Sequence, residues 1–333
     1  MTHISVGDMA QSLILSRRNA TLKDAIQNLS SEAVTGLTVD TTQRVRGDYL
    51  PLAGIEASLT QLDAYHAVTT ETAIFAGQMQ LALNQISDSG STLSASLLAA
   101  ASGSSPNRVD TVGFDAAQKL QAAMSNLNSR MGEHSLFAGV ATNHSAVADT
   151  ETMMTALDGA VAGSLSSLDV ETAVNAWFDD PLGFAATVYQ GGAALAPVAV
   201  SPDQKAQLDV TALDPAIVNM LKGLAMASLL QRGVLAGSDV ARADLAKRAG
   251  EHLASAQMPF AELTARLGTT EAAITNAGVR NDAEKSALET ARLGLIAVDP
   301  YETATKLQEA QTQLETLYSI TARMSRLSLV NFL

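Results

Sequence analysis

Cysteine is absent from this chain of 333 residues, which excludes disulfides, thiolate metal sites and a cysteine nucleophile. Aromatic residues are scarce at 4%, although 47% of the chain is hydrophobic, so much of the apolar material is alanine and leucine. That mixture suits long helices with close-packed small-residue seams better than bulky globular cores. Positive charge is short too: 21 Lys and Arg stand against 34 Asp and Glu, a formal net charge of −13. No basic patch is dense enough to neutralise a phosphate track, so nucleic acid is excluded as a partner. Met1 to Arg18 lacks a basic stretch followed by an unbroken apolar run, so no cleaved Sec-type signal is expected. The most apolar window, Ile217 to Leu235, is interrupted by Lys222 and Arg232 and reads as a buried helix, not a membrane span.

Catalytic signatures are missing as well. His3, His66, His134, His144 and His252 form no His-Glu-x-x-His helix or other ligand cluster. There is no phosphate-binding P-loop, no dinucleotide fingerprint and no nucleophile elbow. Asp179-Asp180 stands before Pro181 and reads as a turn. The expectation is therefore no catalytic, cofactor-binding or metal-binding residue, no cofactor, and no enzyme.

What the chain does have is two amphipathic ends. Near the N-terminus Leu15, Leu22 and Leu29 repeat every seven residues, with Ile26 and Ala33 as a second row. Near the C-terminus Leu307, Ala310, Leu314, Leu317, Thr321 and Met324 step three and four apart, as along a coiled-coil seam. The last residues, including Leu327, Leu329, Phe332 and Leu333, are almost wholly apolar.

Between these ends the spacing predicts helices over 4–35, 50–102 and from Pro106 to Met131, the last opened by its proline. From about residue 238 a further seven-residue row runs through Leu253, Phe260, Leu267, Ile274, Asn281, Leu288 and Leu295, and Pro259 should begin or kink that helix. Residues 141–216 differ, with ten acidic residues against the single base Lys205, and read as a solvated acidic face. Alternating runs at 185–189, 196–200 and 207–211 predict strands, between helices near 152–168 and 215–230. The fold class expected is mainly α: long coiled-coil-like helices from both ends packed together, with a small α/β domain inserted in the middle. The boundaries are 1–40 and 299–333 for a terminal-helix core, 41–140 and 236–298 for a helical rod, and 141–235 for the insert.

Two passages resemble the flagellin superfamily. Asp299-Pro-Tyr-Glu-Thr-Ala-Thr-Lys-Leu-Gln and Leu327-Ser-Leu-Val-Asn-Phe-Leu333 look like its terminal helix, and Leu29-Ser-Ser-Glu-Ala-Val-Thr-Gly36 like the end of its first helix. Leu136-Phe137-Ala138-Gly139 is similar to a turn of the hook–filament junction proteins, the hook-associated protein three family. The loop Thr38-Val-Asp-Thr-Thr-Gln departs from the Asn-x-x-x-Asp-Asp pattern common in flagellins. The resemblance implies an extracellular axial protein of the bacterial flagellum, exported by its type III apparatus without a cleaved signal. It would sit between the preceding hook-associated protein and flagellin, among copies of itself, after release from an export chaperone. Leu15, Leu22, Ile26, Leu29, Leu307, Leu314, Leu317, Met324, Leu327, Leu329, Phe332 and Leu333 would then form the assembly interface. A short filament-forming flagellin and a secreted coiled-coil adhesin or effector are the competing readings.

Overall fold

Apolar residues three and four apart make helix the dominant structure in the computed structural model, which describes residues 6–102 and 106–330. Side chains of residues 6–8, 106 and 325–330 lie outside that description. Helix α1 (Val6–Thr35) stops where Gly36 takes a φ of +71°, a conformation that costs glycine little. A single turn, α2 (Thr41–Arg44), is capped by the Asp40 carboxylate on the Gln43 amide. Helices α3 (Leu50–Ala101) and α4 (Pro106–Leu127) follow. Strands β1 (Arg130–Met131) and β2 (His134–Ser135) pair antiparallel, so α4 ends before the expected Met131.

The middle of the chain holds α5 (Thr150–Val161), α6 (Ser167–Asp179), the short α7 (Phe184–Thr187), the antiparallel strands β3 (Val198–Ser201) and β4 (Gln204–Ala206), and α8 (Pro215–Ser228). The chain ends in the long α9 (Asp239–Ile296) and α10 (Pro300–Val330). The mainly α expectation is met. Among the described residues, no helix is long and apolar enough to cross a membrane.

The chain divides into two units, Met1–Asp63 with Ala283–Leu333, and Ala64–Asp282; α3 and α9 contribute to both. In the second unit the seven-residue row of α9 is the spine of the core. Leu253, Phe260, Leu267 and Ile274 are buried, as are Met79, Leu83, Ile86, Leu93 and Leu97 of α3. Ser94 Oγ donates to the Gly250 carbonyl at 2.7 Å and Ser87 Oγ to Gln257 Oε1 at 3.1 Å, so α3 and α9 run antiparallel. Pro259 neither begins nor breaks α9. It lies on the exposed side, where water can solvate the Ser255 carbonyl that its missing N–H would have engaged.

Some local expectations for the insert need correction. Residues 184–187 are a helical turn, because Phe184 and Val188 point inward four residues apart and no alternating face is buried there. Residues 207–211 carry no strand. Leu208 and Val210 do alternate into the core, but alternation reports one buried face and pairing needs a neighbour. The helix expected near 152–168 stops at Val161 and restarts at Ser167, where Ser166 and Asp169 form a capping box.

The acidic residues of the insert are also more than a solvated face. Asp149 and Asp214 cap α5 and α8, Asp169 completes the box on α6, and Asp180 accepts from the Leu182 amide. Others pair with cations outside the acidic segment: Glu151 and Asp158 with Arg232 (2.7 and 3.1 Å), Glu171 with Arg248 (2.8 Å), and Asp179 with Lys222 (2.6 Å).

Candidate functional site

The terminal helices α1 and α10 pair with each other in the first unit, and the register follows the two leucine rows. On α10 the positions Thr303, Ala310 and Leu317, seven apart, are buried, and Leu307, Leu314 and Met324 are half-buried beside them. Leu15, Leu22, Ile26 and Leu29 of α1 are half-buried. Gln11 Nε2 approaches Met324 Sδ at 3.9 Å, which places the start of α1 beside the end of α10. Leu327 and Leu329 belong to α10, but their side chains are outside the described set; Phe332 and Leu333 lie outside the described residues.

Two helices cannot enclose a core, and the burial shows it. Among the described side chains of α1, none is fully buried. Met9, Leu13 and Ile14 are each more than half exposed, and Tyr318 and Ile320 of α10 are nearly so. An open groove of about 990 Å³ is formed where the two helices meet; its apolar lining is Ile14, Leu22, Leu317 and Ile320, and Arg17, Arg18 and Glu309 stand on its sides. Uncovered apolar surface is worth roughly 25 cal/mol per Å² once it is removed from water. A third or fourth helix against this row would recover that energy.

The other end of the pair is fastened by backbone. Thr38 N donates to the Ile296 carbonyl (2.9 Å) and Val298 N to the Gly36 carbonyl (3.0 Å), an antiparallel bridge between Leu37 and Ala297. Arg44 caps the carbonyls of Leu295 and Ala297 at 3.3 and 2.7 Å, where α9 ends and the helix dipole is negative. Asp299 starts α10 by accepting from the amides of Tyr301 and Glu302. None of these partners was visible in the sequence, although Gly36 and Asp299-Pro300 marked where the helices would stop and start.

The motif Leu136, Phe137 and Gly139 lies in the second unit, not on the helix pair. Leu136 and Phe137 are buried in its core. Gly139 has a φ of +57°, and a Cβ there would collide with the Ala193 carbonyl oxygen. The motif's backbone holds two distant stretches: Val140 N donates to Ala193 O, Gly192 N to Ala138 O, and Ala212 N to Phe137 O. In this structure it ties the stretches around Ala193 and Ala212 to residues 137–140. Among the described residues, no group of three or more His, Cys, Asp or Glu could hold a metal ion.

Comparison with known proteins places the likeness at the C-terminal end. Residues 252–333 match the family model of the bacterial flagellin C-terminal helical region, which covers α9 from His252 onward and all of α10. No curated protein matches the sequence. Among solved structures, Bacillus cereus FlgL is similar with 13% identity and a TM-score of 0.49, over 71% of this chain and 96% of that one. A protein of Vibrio parahaemolyticus described as flagellar hook-associated is similar with 13% identity and a TM-score of 0.41, over 71% of this chain and 95% of that one. The likeness in sequence is thus to the helical region at the C-terminal end of bacterial flagellins, over residues 252–333.

Proposed function

We propose that this chain is a structural axial subunit of the bacterial flagellum, and that it forms the junction between hook and filament. The observation that carries the reading is the pair formed by α1 and the flagellin-type α10, with a row of apolar side chains left open along it. Contacts of this kind do not close on themselves within one chain. Repeated head to tail between copies, they generate helical arrays. The work done is mechanical: each copy buries its open row against neighbours and passes load along the axis. The partners are further copies of the chain, the preceding hook-associated protein, flagellin, and an export chaperone that covers the ends beforehand. The sequence Leu136-Phe137-Ala138-Gly139, similar to the junction proteins' turn, supports the junction over the filament itself.

Labelling the protein on intact cells tests the position. One spot where hook meets filament is the expected result. Staining along whole filaments would make it a flagellin, and absence from flagella would overturn the axial role. Deleting the last ten or so residues should leave the second unit folded and yield cells that keep hooks but shed filaments.

A further inference from the structure

The helices α6 and α8 are held against α9 by a belt of charges with one uncharged imidazole in its midst. From α8, Lys222 is buried and reaches Asp179 of α6 at 2.6 Å. Glu171 of α6 takes Arg248 of α9 at 2.8 Å, and Arg248 also holds Asp244 at 2.9 Å, which accepts from the Ser167 hydroxyl. His252 lies one turn beyond Arg248 on α9. The backbone of Asn219 on α8 faces its ring. Its Nε2 is buried and has no hydrogen-bond partner. Leu253 and the edge of the imidazole fit against Gly223, where an added Cβ would stand 3.4 Å from His252 Cδ2 and strike Leu253.

We propose that His252 makes this joint acid-labile: taking up a proton there loosens α6 and α8 from α9. The groups facing the ring decide the sign. Lys222 approaches from α8, and Glu171 and Asp179 from α6, while Arg248, Asp244, Lys247 and Glu251 share its own helix. From α3, the neighbouring Gly250 is met by Leu97 and Leu98, which carry no charge. Glu171 and Asp179, the two carboxylates facing the ring, are already engaged by cations, so an imidazolium would find no free counter-charge and no acceptor for its new N–H. It would also add a third cation beside Lys222 and Arg248.

Burial, first, and then the Lys222 charge hold the imidazole below its usual pKa, against the pull of the Asn219 backbone and the two carboxylates. The neutral ring is therefore the folded form. Stability is complete above the ordinary imidazole pKa of about 6.5 and is lost progressively as pH falls below it toward the lowered folded value. This property belongs to the second unit and is independent of the flagellar reading.

The test uses the full chain and its only tryptophan, Trp177 of α6, as reporter. Urea midpoints are compared at about pH 7.5 and about pH 5.5, a window that brackets the ordinary imidazole titration. The wild-type midpoint should drop, and in His252→Gln the drop should be less than half as large. His134→Gln and His144→Gln, at exposed sites, should keep the wild-type drop. Equal drops in wild type and His252→Gln would overturn the proposal. Should His252→Gln fail to fold, the imidazole resonances of His252 in the wild-type chain decide. A titration midpoint below about 6.5 supports the proposal, and one at or above it overturns it.

Discussion

Asn281 donates from Nδ2 to the carbonyl oxygen of Val200 at 2.8 Å, with both residues buried. Asn281 is the single polar member of the seven-residue row on α9, and the bond shows why an amide stands there. Strand β3 lies against α9 at that point, and its buried carbonyl needs a donor that leucine or isoleucine could not provide.

Asn281→Ala should therefore cost about 1–3 kcal/mol, because the Val200 carbonyl would be left unpaired in the core. Urea unfolding of the full chain measures it. A change within error would mean that the carbonyl finds another donor.

Arg242 performs a similar service at the bend between α8 and α9. Its guanidinium donates to the carbonyls of Leu230 (3.0 Å) and Val234 (3.1 Å) and also pairs with Asp110. Arg242→Met keeps much of the packing volume but removes these donors, with an expected loss of about 1–3 kcal/mol. Asp110→Asn, which alters a partner that is half exposed, should cost much less.

Phe137→Ala should be the most damaging change in the stretch Leu136-Phe137-Ala138-Gly139. Removing a fully buried phenylalanine costs about 3–5 kcal/mol through lost transfer energy and the cavity left behind. Thermal unfolding should show it, and a loss below about 1 kcal/mol would mean that the core closes over the gap.

On the helix pair the expectation is the reverse. Ile14→Ser with Ile320→Ser should change monomer stability by no more than about 0.5 kcal/mol, since both side chains are exposed. The same double change should abolish incorporation into flagella, scored by labelling and by motility. Normal incorporation would remove the open row from the proposed assembly.

Acid should act on Asp244 with a definite sign. Hydrogen bonds from Ser167 and then Arg248 hold its carboxyl below the ordinary value. Its contribution is therefore complete above the unfolded carboxylate pKa, about 3.9, and is lost as pH falls through the lower folded one. Asp244→Asn should destabilise at neutral pH, and the difference from wild type should vanish in strong acid. A constant difference across that range would mean that ionisation at this position is irrelevant.

Much of this architecture could be read from periodicity. The rows on α3, α9 and α10 announced both helix and buried face, because a face must repeat to be buried, while the row on α1 announced a helix whose face is half-buried. Gly36 and Asp299-Pro300 announced helix ends because only particular residues tolerate those backbones. Long-range pairing left no such trace. Lys222 lies 43 residues from Asp179 and Arg248 lies 77 from Glu171, so the insert looked more purely acidic than it is. Asn281 was visible as a polar gap in its row, but nothing local named Val200 as its acceptor. The cap that Arg44 places on Ala297 was hidden for the same reason.

The division of the chain also imposes a timetable. Ala64–Asp282 is one continuous stretch, whereas the other unit draws on both sides of it. The continuous stretch has all its own material as soon as Asp282 emerges and can settle early. α1 must remain single until α10 arrives, and bringing them together closes a very long loop whose entropic cost grows only with the logarithm of its length. A chain halted just after Asp282 would hold a finished middle and a solitary first helix.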